Sequence, residues 1–403
     1  MSKIIVGFAL FFIFWYNRYN KNDGDYMYKD YRVIDCHVHF SYPIDGKKMI
    51  DVIKETDADT FNIVLVPDRQ KVSSLPEALM LKNINDDKNY VFSNLDVSEY
   101  FRHNKTIGKH FKKYAQKALK MGADGIKLIE GKPQIRKALP IPAFDSEAWD
   151  EFFEFAEKNN VPILWHVNDP EENWDINKVS EFAKKSGWFY DESYINNEKQ
   201  YSEVLNVLEK HPNIKICFAH FFFLSNNLDR LSEILDKYPN ASIDLTPGIE
   251  MYGNLSNNKE KGLMFFEKYQ DRIMYGTDIC ARNVLGINKE INEKESFRRS
   301  EIVKYFLTEK EEIEIESDGN FLIGMDKFIL RPFNLKEDIC KKIFNDNFVN
   351  FTSINPKKTN PKLIKKECNR LKIIIKVMSF IDKTIKVDYS VINEVKAYFK
   401  KLR

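Results

Sequence analysis

The sequence predicts an α/β protein: a (β/α)8 TIM barrel with long loops after strands five and eight and a C-terminal helical extension. Three observations predict it. Eight short apolar runs alternate with stretches of helical spacing, the pattern of βαβ units around a parallel sheet. Together they fill about 250 residues, the measure of such a barrel. Four runs end in histidine or aspartate, and the carboxyl ends of parallel barrel strands form the rim where active sites are built. A doubly wound open sheet is the competing architecture, but it gathers its site at one switch point. Here the candidate ligands come from strands one, five, six and eight.

The elements follow in order. The chain begins with an apolar run, Ile4–Tyr16, of 13 residues. It is short for a membrane-spanning helix, which needs about 20 residues. It has the length of a signal-peptide core, yet no A-x-A-like cleavage site follows it. We read it as an arm packed on the protein or an extension without consequence, in preference to a membrane anchor. After the polar spacer 17–30 the strands are expected at 33–38, 61–66, 90–95, 124–129, 161–166, 214–219, 241–246 and 272–277. Helical spacing appears at 47–56, 107–121, 146–159, 201–211, 225–238 and 258–270. Two stretches exceed ordinary loop length. Residues 167–200, carrying Trp174, Trp188 and Tyr190, would overhang the rim. Residues 280–333 follow strand eight, and their charged part 308–319 can be read as a disordered insertion. Residues 335–350 are expected to close the barrel. The expected organisation is therefore an arm and spacer over 1–30, a barrel over 31–352 and a basic helical tail over 353–403.

Net charge is +2, so the molecule as a whole is no polyanion binder. Residues 357–403 hold 14 Lys/Arg against 4 Asp/Glu, a net of +10 that leaves −8 for the first 356 residues. Apolar residues are interleaved through this tail (LKIIIKVMSFI), which favours docking on its own barrel or on a second subunit over binding nucleic acid. The five cysteines form no CxxC or CxxxC pair, so no disulfide framework is expected and the cytoplasm is the expected compartment. Membrane anchoring through residues 4–16 is the lesser reading.

The chemistry lies at the strand ends. His37 and His39 are two apart, so on a strand they share a face, and burying two imidazoles without partners is costly. They are read as metal ligands. Asp35 shares that face and is either an acceptor that orients an imidazole or a polar core residue. His166 ends strand five and Asp278 ends strand eight. Three imidazoles and a carboxylate suit one divalent ion, Zn2+ first, with Mn2+ or Fe2+ also acceptable. Such an ion lowers the pKa of bound water and supplies hydroxide at neutral pH, and Asp278 could take that water's proton. His220, ending strand six, is either a ligand of a second metal or a free acid/base; we favour the latter.

Lys127 in GIKLIEG must face the barrel interior, where an ammonium needs an anion. Its readings are an anchor for a substrate carboxylate, a carbamate ligand or one half of a structural ion pair. Arg69 after strand two and Arg282 after strand eight could each reach an anion at the rim bidentately. Thr246, Glu250 and Tyr252 follow strand seven and are expected at the pocket. His103, His110 and His211 read as ordinary surface histidines.

HxH ending strand one, GIKL on strand four, histidines ending strands five and six, and GTD on strand eight resemble the amidohydrolase superfamily. The pattern is most similar to the amidohydrolase-related (type 2) branch containing aminocarboxymuconate-semialdehyde decarboxylase and the resorcylate decarboxylases. It spans about 33–350, including LKEDICKKIFNDNFVNF, which is similar to that branch's closing helix. The resemblance implies that His37, His39, His166 and Asp278 hold one metal and that His220 is catalytic. The chain departs from the decarboxylases at WHVNDPEENWD (165–175), in the strand-five insertion and in the basic tail, where substrate is chosen.

The expected function is a metal-dependent hydrolase of a small carboxylated amide, ester or lactone, using metal-bound water. The alternative is a non-oxidative decarboxylase built from nearly the same residues. A third reading, from another class, is an interaction module on an inactive barrel, and a retained ligand set argues against it. The expected partner is the small substrate, with a homodimer as a further expectation and no nucleic acid.

Overall fold

In the computed structural model, residues 31–39, 46–67, 72–248, 250–280, 293–316 and 327–402 are described. The first strands, Ile34–His39 (β1), Thr60–Val64 (β2), Tyr90–Asn94 (β3) and Gly125–Gly131 (β4), are followed by Ile163–Val167 (β5), Ile216–Phe218 (β6), Ala241–Asp244 (β7) and Ile273–Met274 (β8). Each coincides with a run expected from sequence. Neighbours pair in chain order and in parallel from β1 to β8. A short continuation of strand eight, Ile279–Cys280 (β9), pairs in parallel with β1. Cys36 N–H donates to Tyr275 C=O and Asp278 N–H donates to His37 C=O, each at 2.9 Å. Those bonds join strand eight to strand one and close the (β/α)8 TIM barrel.

Two apolar layers fill it. Inside the barrel, Ile34, Cys36, Phe92, Leu164, Cys217 and Met274 pack with Phe348 and Phe351, which come from the helical region expected to close the barrel. Outside, the opposite faces of the strands meet the helices. In the helix Ile107–Met121 the buried residues Ile107, Phe111, Tyr114, Ala115, Ala118 and Met121 form one stripe, the spacing of a helix lying on a sheet. That helix ends at Gly122 with φ of 118°, a left-handed geometry that glycine adopts without steric cost. A Cβ there would meet the tail backbone at Lys358 and Thr359 at 2.9 Å.

The tail forms two helices, Pro361–Ile381 and Ser390–Lys401. Asn360 caps the first through Leu363 N–H, with proline at the position where a missing N–H is harmless. Ile364, Cys368, Leu371, Ile375, Val395 and Phe399 are buried. Arg370 pairs with Asp96 at 2.7 Å, Lys357 N–H donates to Asp124 at 2.7 Å, and Tyr398 hydroxyl donates to Asn83 at 2.9 Å. The tail is thus packed on the barrel's own flank.

In the long loop after strand eight, the structure describes the helix Glu293–Thr308 and an antiparallel pair of strands, Ile313–Glu316 with Lys327–Leu330. Cys36, Cys217, Cys340 and Cys368 are free thiols. Among the described residues no helix is long and apolar enough to cross a membrane; the run Ile4–Tyr16 lies outside them.

Candidate metal centre

Alternation along β1 is broken before it reaches the rim. Its pairing with β2 shifts register between Asp35 and Val38, a bulge of the kind that re-aims side chains beside active sites. Ile34 and Cys36 therefore pack in the barrel interior, while His37 and His39 both turn toward Asp278. Of the two readings of Asp35, the structure supports the polar core residue. It accepts from Thr277 hydroxyl and from the backbone N–H groups of His37 and Thr277, and it orients no imidazole. Burial pushes its carboxyl up to about 7.

The two imidazoles are oriented by other groups. His37 Nδ1 lies 2.9 Å from Asp244 Oδ2, and His39 Nδ1 lies 2.9 Å from the Val64 carbonyl. A carbonyl only accepts, so His39 carries its proton on Nδ1. Asp244 accepts on its other oxygen from His220 N–H and Thr246 N–H, which gives His37 the same tautomer. Both Nε2 lone pairs then face inward. His39 Nε2 sits 3.0 Å from Asp278 Oδ1, and His37 Nε2 sits 3.9 Å from the same oxygen. In neutral His39 this sets lone pair against lone pair, a contact that is favourable only when a cation, a proton or a metal ion, occupies it. Donor atoms of His37, His39 and Asp278 all lie within 4.8 Å of one another. The donor chemistry fits a divalent ion.

Asp278 itself adopts φ of 55°, an uncommon left-handed conformation that aspartate tolerates better than most residues. Gly276 lets strand eight pass close beneath it, since a Cβ there would lie 2.8 Å from Thr246 and 3.3 Å from His37. Burial would raise the Asp278 carboxyl, but a proton held on His39 Nε2 in that contact, together with Arg299 and His37, outweighs it and holds the group well below the usual carboxylate range.

His166 and His220 stand beside this trio. Their ring centroids are 5.0 Å apart, and His220 is 5.6 Å from His37. His166 Nε2 is directed at Asp169 Oδ1, 3.2 Å away. Asp169 also binds Lys132 at 2.8 Å and accepts from Tyr190 hydroxyl. Burial lowers His166 to about 4, keeping it neutral. The strand-five loop thus reaches over the rim as expected, with Trp174 on Tyr190 and Trp188 beneath the Lys132 ammonium.

His220 opens four consecutive left-handed residues, His220 to Phe223, with φ between 53° and 58°. Each non-glycine residue there costs about 1–2 kcal/mol. Aromatic burial offsets that cost: Phe222 stacks on Phe218 at 3.8 Å and Phe221 packs on Phe265. Strain of this kind is tolerated where a side chain must be aimed. His220 Nδ1 lies 3.2 Å from Thr246 Oγ1, whose own hydroxyl donates to Asp244. His220 Nδ1 is therefore the donor, and its Nε2 is left with a lone pair.

Lys127 is fully buried with Nζ 3.4 Å from His37 Nε2. Burial lowers it to about 8 against the pull of Asp244 and Asp278. Among the other pocket candidates, Glu250 is raised to about 8 by burial, Thr246 bonds as described, and Tyr252 hydroxyl donates to the Leu245 carbonyl. Arg69 and Arg282 lie outside the described residues. His211 corrects its expectation: it is buried, with Nδ1 3.2 Å from Glu157, because its ring packs against Phe153 of the neighbouring helix. Sequence reasoning missed Asp244, Asp169, Lys132 and Arg299. Asp244 had a signal, since it ends the strand run ASID beside the rim; Arg299, on the helix after strand eight, had none.

A model of the family described as Amidohydrolase matches residues 107–347. Solved structures of similar shape include an uncharacterised TIM-barrel protein from Bordetella bronchiseptica, 11% identical, covering 80% of this chain and 98% of its own, with a TM-score of 0.48. A 5-carboxyvanillate decarboxylase from Sphingomonas paucimobilis is 10% identical, covers 79% and 98%, and scores 0.46. A 2,6-dihydroxybenzoate decarboxylase from Rhizobium is 13% identical, covers 79% and 98%, and also scores 0.46. Among curated proteins, none matches this sequence.

Proposed function

Since the chain belongs to the amidohydrolase family, whose model spans residues 107–347, we propose that it is a divalent-metal-dependent hydrolase of a small carboxylated amide, ester or lactone. One observation carries this reading: two imidazoles fixed with Nε2 inward face a single carboxylate across 3.0 and 3.9 Å. His37, His39 and Asp278, with His166 beside them, would hold the ion, Zn2+ first and Mn2+ or Fe2+ as alternatives. Such an ion supplies Lewis acidity toward a carbonyl and makes water a nucleophile near neutral pH.

The chain's own groups do the remaining work. Asp278, ionised well below neutrality, accepts a proton from the attacking water. His220, with its Nε2 lone pair, takes that proton over from Asp278 and delivers it to the leaving group as the bond to the carbonyl carbon breaks. Lys127 binds a substrate carboxylate from inside the barrel, and Arg69 and Arg282 are assigned to the same anion from the rim. Lys132, on Asp169 and Trp188, narrows the entrance on the strand-five side.

The test is a panel of carboxylated amides, esters and lactones alongside hydroxybenzoates, assayed before and after chelation. Turnover of the first group, lost on chelation and restored by Zn2+, is expected. Release of CO2 from the second group with no hydrolysis of the first would replace the reading with the decarboxylase one. Turnover that survives chelation would end it.

A further inference from the structure

A second set of two histidines and a carboxylate lies outside this centre. Glu99 belongs to the short helix Glu99–Arg102 after β3, His103 follows that helix, and His110 sits in the first turns of the helix Ile107–Met121. Their sequence spacing crosses two helix ends, so no helical or strand period groups them. The structure brings them together, which corrects their reading as ordinary surface histidines. The two imidazoles stack with centroids 3.7 Å apart and planes 10° from parallel. Both direct Nδ1 at one oxygen of Glu99, Oε2, with His110 at 3.3 Å and His103 in short contact. Arg102 occupies the other oxygen, Oε1, so the carboxylate's charge is partly balanced while Oε2 stays with the rings. Donor atoms of the three residues lie within 4.8 Å of one another.

We infer that Glu99, His103 and His110 form a second, peripheral binding site for an imidazole-seeking divalent cation of the Zn2+ class. In tetrahedral Zn2+ coordination with bonds of about 2.1 Å, neighbouring donors stand about 3.4 Å apart. The His110 Nδ1–Glu99 Oε2 separation of 3.3 Å matches that edge. Two nitrogens and one oxygen form the donor set of a borderline ion and not of Ca2+ or Mg2+, which take oxygen. The side chains of His103 and His110 are 38% and 26% exposed, so the fourth position is open to water. Bound there, the ion clips the β3 loop to the start of the next helix. That loop sits on the carboxyl side of the barrel, and its Asp96 is already tied to Arg370 of the tail.

The test is equilibrium dialysis of the chelator-stripped full chain against Zn2+ alone, with metal analysis per chain. The wild type is expected to bind one equivalent more than the double variant His103→Gln/His110→Gln. Glu99→Gln should weaken that equivalent about tenfold or more. The variant His37→Ala/His39→Ala should keep it and lose the other. If the His103/His110 variant binds as much zinc as the wild type, the cluster is only a hydrogen-bonded pair of rings on a carboxylate and the inference falls. One equivalent lost with His37/His39 alone would leave the proposed function standing and overturn the second site; one lost with His103/His110 alone would do the reverse.

Discussion

Two regions of this molecule assemble the same side-chain types, two histidines and one carboxylate, in opposite surroundings. At the barrel mouth His37 is fully buried and His39 and Asp278 are partly so, and each imidazole is held from behind by a fixed acceptor. On the flank, His103 and His110 are partly exposed and lean on each other and on Glu99. At the mouth both Nδ1 atoms are turned to Asp244 and Val64, so the inward Nε2 atoms carry lone pairs, His37 facing the Lys127 ammonium 3.4 Å away and His39 facing Asp278. On the flank the Nδ1 atoms are themselves the inward ones, and their protons satisfy Glu99. The first arrangement is unfavourable without a cation; the second is satisfied without one. Acceptors behind the rings therefore pre-orient the donor atoms at the mouth, whereas the rings on the flank are turned to their own carboxylate.

The comparison breaks most visibly at His39. His39→Ala removes a donor whose other nitrogen is already committed, so retained metal and turnover should fall by more than the ten- to hundredfold typical of supporting groups. Metal analysis and kcat/KM check this; turnover within tenfold of wild type would mean that the mouth, too, merely tolerates an ion. Asp244→Asn tests the support itself. It keeps the shape but offers His37 an amide, and metal affinity should weaken about ten- to hundredfold with the fold retained. Unchanged affinity would show that the acceptor behind His37 does not orient it.

Sequence reading reached these two regions unequally. All eight strands were legible because each is a short apolar run closed by polar residues, and His37 and His39 were legible because a strand's period of two pairs them. The bulge at Asp35–Val38 was not, since its cause is the pairing of β1 with β2. The two readings of Asp35 were consequently left open, and the orienting role that one of them gave it is performed by Asp244, more than 200 residues later. Lys127 was placed in the interior because the outer face of its strand packs against helices, and the register of β4 with β5 is regular up to Leu128. The cluster of Glu99, His103 and His110 was invisible because its geometry depends on how one helix stops and the next begins, which no periodicity encodes. His211 was misread because burial at a helix end depends on what lies beneath it.

The smallest expected effect concerns the buried footing of the exposed cluster. Tyr100, next to Glu99, is buried against Phe111 and Trp149, and the carboxylate of Glu130 from β4 acts on it from below. Burial lifts Glu130 from 4.5 to about 7, against the pull of its hydrogen bonds and of Lys127. A carboxyl whose pKa is raised on folding binds its extra proton in the folded state between these values. Its stabilising contribution is complete below pH 4.5 and is lost as pH rises through 7. Glutamine cannot ionise, so Glu130→Gln should keep that contribution at every pH. Its Tm relative to wild type should be higher at pH 8 by about 2 °C or more and should lose that advantage at pH 4. Thermal melts at the two pH values decide it. A difference independent of pH would place the buried charge elsewhere, leaving the flank supported by the packing of Tyr100 alone.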